Sequence, residues 1–123
     1  MQLTKAEEQI MQLLWDLKEG TVQDILKEFQ TDIPARTTVA TILRILEDKE
    51  FVSHRTDGRS NVYKPLVSKD KYSKKQLNGL IKDYFNGSFS TMVLFFAKET
   101  DMDIKDMDKI IEETRKELKE ENQ

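Results

Sequence analysis

Thr37, Thr41 and Arg44 follow one another at the four- and three-residue steps of a single helix face, with Thr38 and Ala40 flanking them and Arg36 just ahead. Short hydroxylated side chains, a methyl and a guanidinium are the groups that let a helix enter the major groove of B-DNA and reach phosphates or base edges. A second basic set follows: Arg55, Arg59 and Lys64 surround Asp57-Gly58, with Ser60 beside it, and a hairpin there holds cations next to the helix. No carboxylate occurs from Ile33 to Leu46, whereas Glu47, Asp48 and Glu50 gather just beyond, so a polyanion meets the first half of that helix. The candidate DNA-binding residues are therefore Arg36, Thr37, Thr38, Ala40, Thr41, Arg44, Arg55, Arg59 and Ser60.

Other chemistries find no purchase. His54 is the single histidine and cysteine is absent, which removes disulfides, thiolate metal sites and cysteine nucleophiles. Paired histidines and carboxylates, a glycine-rich phosphate loop, a serine elbow and metal-ligand spacing are all missing from the sequence. We expect no catalytic residues, no metal, no cofactor and no enzymatic activity.

The elements that must hold these residues can be read from apolar spacing. Val39, Ile42, Leu43 and Leu46 form the buried stripe of the reading helix, with Pro34 expected in its first turn. Upstream, Thr4-Lys5-Ala6-Glu7 is a capping box, followed by a stripe of Ala6, Ile10, Leu13, Leu14 and Leu17 that stops at Gly20. Thr21 caps a second helix carrying Val22, Ile25, Leu26 and Phe29. Two strands, 51–55 and 61–66, are expected around a connection over 56–60. Helix, helix, reading helix and hairpin make a winged helix-turn-helix.

Beyond Pro65, Ser68 caps a long helix with Tyr72, Leu77, Leu80, Ile81, Tyr84 and Phe85 on one side, ending at Asn86-Gly87. Lys69, Lys71, Lys74 and Lys75 crowd its start, either as solvated charge or as an extension of the DNA-facing surface. A short helix with Phe89, Met92, Val93 and Phe96 on one stripe follows, and Leu94 and Phe95 make it apolar almost all round. Asp103 caps a last helix with Ile104, Met107, Ile111, Thr114 and Leu118 at coiled-coil-like steps. Apolar faces of this size on so small a part call for a second copy of the chain. We expect dimerisation through Leu80, Tyr84, Phe89, Met92, Val93, Phe96, Met107, Ile111 and Leu118.

At 123 residues the chain holds one domain or two small ones. We expect a winged-helix DNA-binding domain over 1–67 and a helical dimerisation domain over 68–123, in a fold that is mainly α with a small β-hairpin wing. The net charge of −3 conceals segregation: residues 33–82 carry 11 Lys/Arg against 5 Asp/Glu, while both flanking segments are acidic. Phosphate contacts depend on the local patch, so the total does not argue against nucleic acid. No stretch is apolar enough to span a bilayer and no signal peptide is legible, from which we expect a cytoplasmic protein without membrane insertion.

Several patterns in this order resemble the penicillinase-repressor family of bacterial transcriptional repressors (BlaI/MecI type). They are Leu3-Thr4-Lys5-Ala6-Glu7 leading to Leu13-Leu14-Trp15, Thr37 to Leu43 with Leu46-Glu47-Asp48-Lys49, Asn61 to Val67, and Phe85 to Phe89 ahead of Val93-Leu94-Phe95-Phe96. The resemblance implies a homodimer that represses genes from a palindromic double-stranded DNA operator. In the antibiotic-responsive branch it further implies cleavage by a membrane sensor protease, here at Phe95-Phe96, where those relatives have Asn before Phe. The sequence departs from the family pattern in placing its arginine at Arg44 rather than at Ile45, and in having Lys49-Glu50 where Lys-Gly is usual. Lacking cysteine, it cannot form the metal motif of the copper-responsive branch. The competing reading, a winged-helix module that binds another protein and not DNA, predicts no salt-dependent affinity for DNA.

Overall fold

A computed structural model describes residues 2–121. The element order is α1 (Lys5–Leu17), α2 (Val22–Lys27), α3 (Arg36–Asp48), β1 (Val52–Asp57), β2 (Ser60–Pro65), α4 (Lys69–Tyr84), α5 (Phe89–Glu99) and α6 (Ile104–Glu121). The fold is the expected one, mainly helical with a two-stranded antiparallel hairpin, a winged helix-turn-helix followed by helices. No helix among the described residues is long and apolar enough to cross a membrane.

The chain divides into two compact units, Met1–Lys75 and Gln76–Gln123. The division falls inside α4, later than the expected break after Val67, and the cause is Tyr72. Its ring lies 5.7 Å from Trp15 and 5.8 Å from Phe51, and its hydroxyl donates to Glu8 at 3.0 Å. Trp15 also donates its indole N–H to the Val67 carbonyl at 2.9 Å, so the start of α4 is tied to the winged helix.

In the first unit, Ile10, Met11, Leu14, Ile25, Val39, Leu43, Leu46 and Val52 close a core among α1, α2, α3 and the hairpin. Met11 is fully buried, whereas Ala6, expected on the inner stripe, is exposed. Both upstream caps form as expected: Thr4 and Glu7 exchange side-chain bonds with each other's backbone N–H, and Thr21 and Asp24 do the same. Pro34, expected in the first turn of α3, instead precedes its N-cap, Ala35, which supplies no side-chain bond. Ala35 is extended, with ψ 148°, so the helix begins only at Arg36, and Pro34 lies where a missing N–H costs nothing.

The end of α3 is a Schellman turn: Glu50 N–H reaches the Glu47 carbonyl at 3.0 Å and Phe51 N–H the Leu46 carbonyl at 2.9 Å. Glu50 takes the left-handed position of that turn, with φ 65°, where glycine is the unstrained choice. The strands run closer to the tip than expected. Asp57 pairs with Ser60, so the turn is the two-residue Gly58-Arg59 and not a five-residue connection. Gly58, with φ 64°, supplies the positive φ at the first central position that a type II′ turn needs. Gly20 adds an isolated antiparallel bridge to the hairpin, exchanging both backbone bonds with Tyr63 at 2.9 and 2.8 Å.

In the second unit, Ser88 caps α5 through Thr91 N–H, and Asp103 caps α6 through Asp106 N–H at 2.8 Å. No described residue of α5 or α6 is buried.

Candidate nucleic-acid interface

Burying Val39, Leu43 and Leu46 turns the opposite face of α3 to solvent, and Arg36, Thr37, Thr38, Ala40, Thr41 and Arg44 are all exposed there. Arg44 has no hydrogen-bond or ion-pair partner among the described residues. Arg36 donates to the Gln23 amide oxygen of α2 at 3.1 Å, which leaves its charge uncompensated. Thr41 donates its hydroxyl hydrogen to the Thr37 carbonyl at 2.9 Å. Its oxygen can therefore accept from an outside donor, such as an exocyclic amine of adenine or cytosine, and its methyl can meet that of thymine. Thr41 cannot donate to a base while that bond stands.

The wing supplies Arg59 and Ser60, both exposed at the turn, with Arg59 unpartnered among the described residues. Arg55 is different. Its two terminal nitrogens meet the two carboxylate oxygens of Glu19 at 2.7 and 3.1 Å, across 36 residues of sequence. The hydrogen bond from Arg55, followed by its charge, holds the Glu19 carboxyl below its ordinary range, and Glu19 raises the guanidinium in return.

On α3 itself the carboxylates, Glu47 and Asp48, stand at the far end, and Glu47 is engaged there. The Glu47 carboxylate accepts from His54 Nδ1, in the form that carries a proton on that nitrogen, at 2.7 and 2.9 Å, joining the end of α3 to β1. Glu7, only 4% exposed, meets Lys49 Nζ at 2.8 and 3.1 Å. Burial pushes the Glu7 carboxyl up, but hydrogen bonds from Lys49 and Thr4 and the Lys49 charge outweigh it and leave the group below its ordinary 4.5. These ties were not legible in the sequence. The Glu7–Lys49 and Glu19–Arg55 partners lie 42 and 36 residues apart, and no local spacing relates them.

The expected dimer residues are brought together in part. Leu80, Tyr84, Met92, Val93, Phe96 and Met107 line an open apolar groove of about 960 Å³ within the second unit. Phe89, Ile111 and Leu118 lie outside it, and Phe89, at 60%, is as exposed as Phe96, at 57%. Phe95 also lines the groove and packs against Phe85 at 5.6 Å.

Residues 3–116 match the family model described as penicillinase repressor. Methicillin resistance regulatory protein MecI of Staphylococcus aureus is 24% identical over 102 residues, covering 82% of this chain and 83% of that protein. The solution structure of the DNA-binding domain of the repressor BlaI aligns with a TM-score of 0.52 and 28% identity, over 58% of this chain and 88% of that one. The Bacillus licheniformis BlaI monomer, solved in complex with the blaP half-operator, aligns at 0.50 and 27%, over 58% and 89%.

Proposed function

The chain belongs to the penicillinase repressor family of DNA-binding transcriptional repressors, and from that premise we propose that it works as a homodimer on a palindromic operator, each copy placing α3 in the major groove of one half-site. The observation that carries the reading is the α3 surface: exposed, free of carboxylates over its first three turns, and offering an unpartnered Arg44 beside Thr37 and Thr41. The related BlaI domain solved on a half-operator supports it. An arginine at that position favours guanine, which offers two acceptors in the major groove, while Thr41 favours a base bearing an amine or a methyl. Two copies joined through the groove of α4, α5 and α6 would set two reading helices about 34 Å apart or a multiple of it.

The experiment is sequencing of the DNA that this protein occupies in its own genome, followed by footprinting of a recovered site with the purified chain. Protection of two inverted half-sites supports the proposal. Affinity for DNA that neither depends on salt nor discriminates sites would favour the protein-interaction reading instead.

We propose further that release from DNA proceeds by cleavage at Phe95-Phe96. The resemblance to the antibiotic-responsive branch supports this, as does the 55% exposure of Phe95 in a helix that buries no residue. A helix must unwind locally before its backbone enters a protease, so association through Phe96 slows cutting. Intact-mass analysis of the repressor recovered from induced cells checks it. A full-length chain throughout induction contradicts proteolytic release.

A further inference from the structure

Arg55 and Arg59 both belong to the wing and carry the same charge, yet their surroundings differ. Arg59 stands at the turn without a partner among the described residues, whereas Arg55 is held fork-to-fork by Glu19. A bidentate carboxylate occupies the parallel N–H groups that a phosphate would take, so the two anions compete for one guanidinium. Glu19 is itself fixed, because the next residue, Gly20, is bonded through both backbone groups to Tyr63. The register gives the direction. Arg55 pairs with Val62 and Ser53 with Lys64 on one face of the hairpin, while His54 and Tyr63 occupy the other, where His54 meets Glu47 of α3. Arg55 thus leaves the sheet on the face away from the reading helix.

We propose that Glu19 withholds Arg55 from DNA: the pair is a latch that positions the wing against the turn between α1 and α2, and of the two wing arginines only Arg59 contacts phosphate. The proposal rests on the DNA-binding reading above. It makes Arg55 a positioning residue, revising its place beside Arg59 among the candidate DNA-binding residues.

The test is the slope of log affinity against log salt for the full chain on a short random-sequence duplex, where the contacts counted are to the backbone. Each phosphate neutralised contributes roughly 0.9 to that slope. Arg59→Ala should flatten it by about one unit for each wing engaged, whereas Arg55→Gln should leave it at the wild-type value. Glu19→Gln should steepen it by about one unit per wing, since the freed guanidinium gains a phosphate. Combining Glu19→Gln with Arg55→Gln should restore the wild-type slope, which separates release of Arg55 from simple loss of a negative charge. Both side chains are about half exposed, so the substitutions leave the core intact, and circular dichroism verifies this. Flattening by Arg55→Gln, or a double variant as steep as Glu19→Gln, overturns the latch while the DNA-binding reading stands. A flat wild-type slope overturns both.

Discussion

In the first unit, α1, α2 and α3 each turn a regular apolar stripe inward, and Ile10, Leu14, Ile25, Val39, Leu43 and Leu46 are buried to 2% exposure or less. In the second, α5 and α6 carry stripes as regular and bury none of them, leaving Phe89, Phe96, Ile111 and Leu118 about half exposed. Apolar spacing is alike in the two regions; what differs is whether the chain provides a cover. The winged helix has three helices and a hairpin converging on one point, tied by Trp15 to Val67 and Glu7 to Lys49. The helices that follow form an open groove, and exposed apolar surface of this extent is the mark of an interaction site.

The contrast can be broken most forcefully in the core. Leu43→Ala should destabilise the first unit by about 2–5 kcal/mol, measured by denaturant unfolding. Phe96→Ala removes a larger side chain yet should cost the isolated chain much less, and should instead weaken association roughly tenfold or more in sedimentation equilibrium. Equal losses of stability would mean that the second unit closes a core of its own.

Truncation sharpens the same point. A chain ending at Lys75 should fold as a monomer, whereas one ending at Leu66 loses Tyr72 from Trp15 and Phe51 and should be less stable by about 3 kcal/mol, the scale of an aromatic deletion from a core. Thermal unfolding of the two decides it.

The titrations of the first unit provide a third comparison. Glu7 has a folded pKa below its ordinary value, so its stabilisation is fully present above about pH 4.5 and is lost as pH falls below it. Glu7→Gln should lower stability at pH 7 and lessen the loss of stability as pH falls below about 4.5, read from unfolding curves on the acid side. An unchanged acid limb would show that the Lys49 pair contributes nothing there.

The smallest expected effect concerns Glu50. Glycine there should raise stability by about 1 kcal/mol, because φ 65° strains any residue with a Cβ. A decrease would show that the Glu50 side chain does something its position does not reveal.

Features set by neighbours in sequence were legible beforehand. The capping box at Thr4, the cap at Thr21, the inner stripe of α3 and the exposure of Thr37, Thr41 and Arg44 follow from spacing and local hydrogen bonding. The exact turn was not: a five-residue connection and the two-residue Gly58-Arg59 turn fit the same residues until pairing of Asp57 with Ser60 decides between them. Pro34 misled because both the first helical turn and the position before the N-cap accept a residue without N–H. Least legible were the pairs Glu7–Lys49, His54–Glu47 and Glu19–Arg55 and the bridge from Gly20 to Tyr63, since only the folded chain brings them together. They bear directly on the candidate site, because they determine which charges on it are free.

We propose that one winged helix reads one half-site and that the second unit joins two chains. Sedimentation velocity of a footprinted duplex with the full chain and with the chain ending at Lys75 tests that most directly. Two full-length chains should bind together per duplex with no single-chain complex at intermediate loading, whereas the truncated chain should fill the half-sites stepwise and independently. Stepwise filling by the full chain, or paired binding by the truncated one, would contradict it.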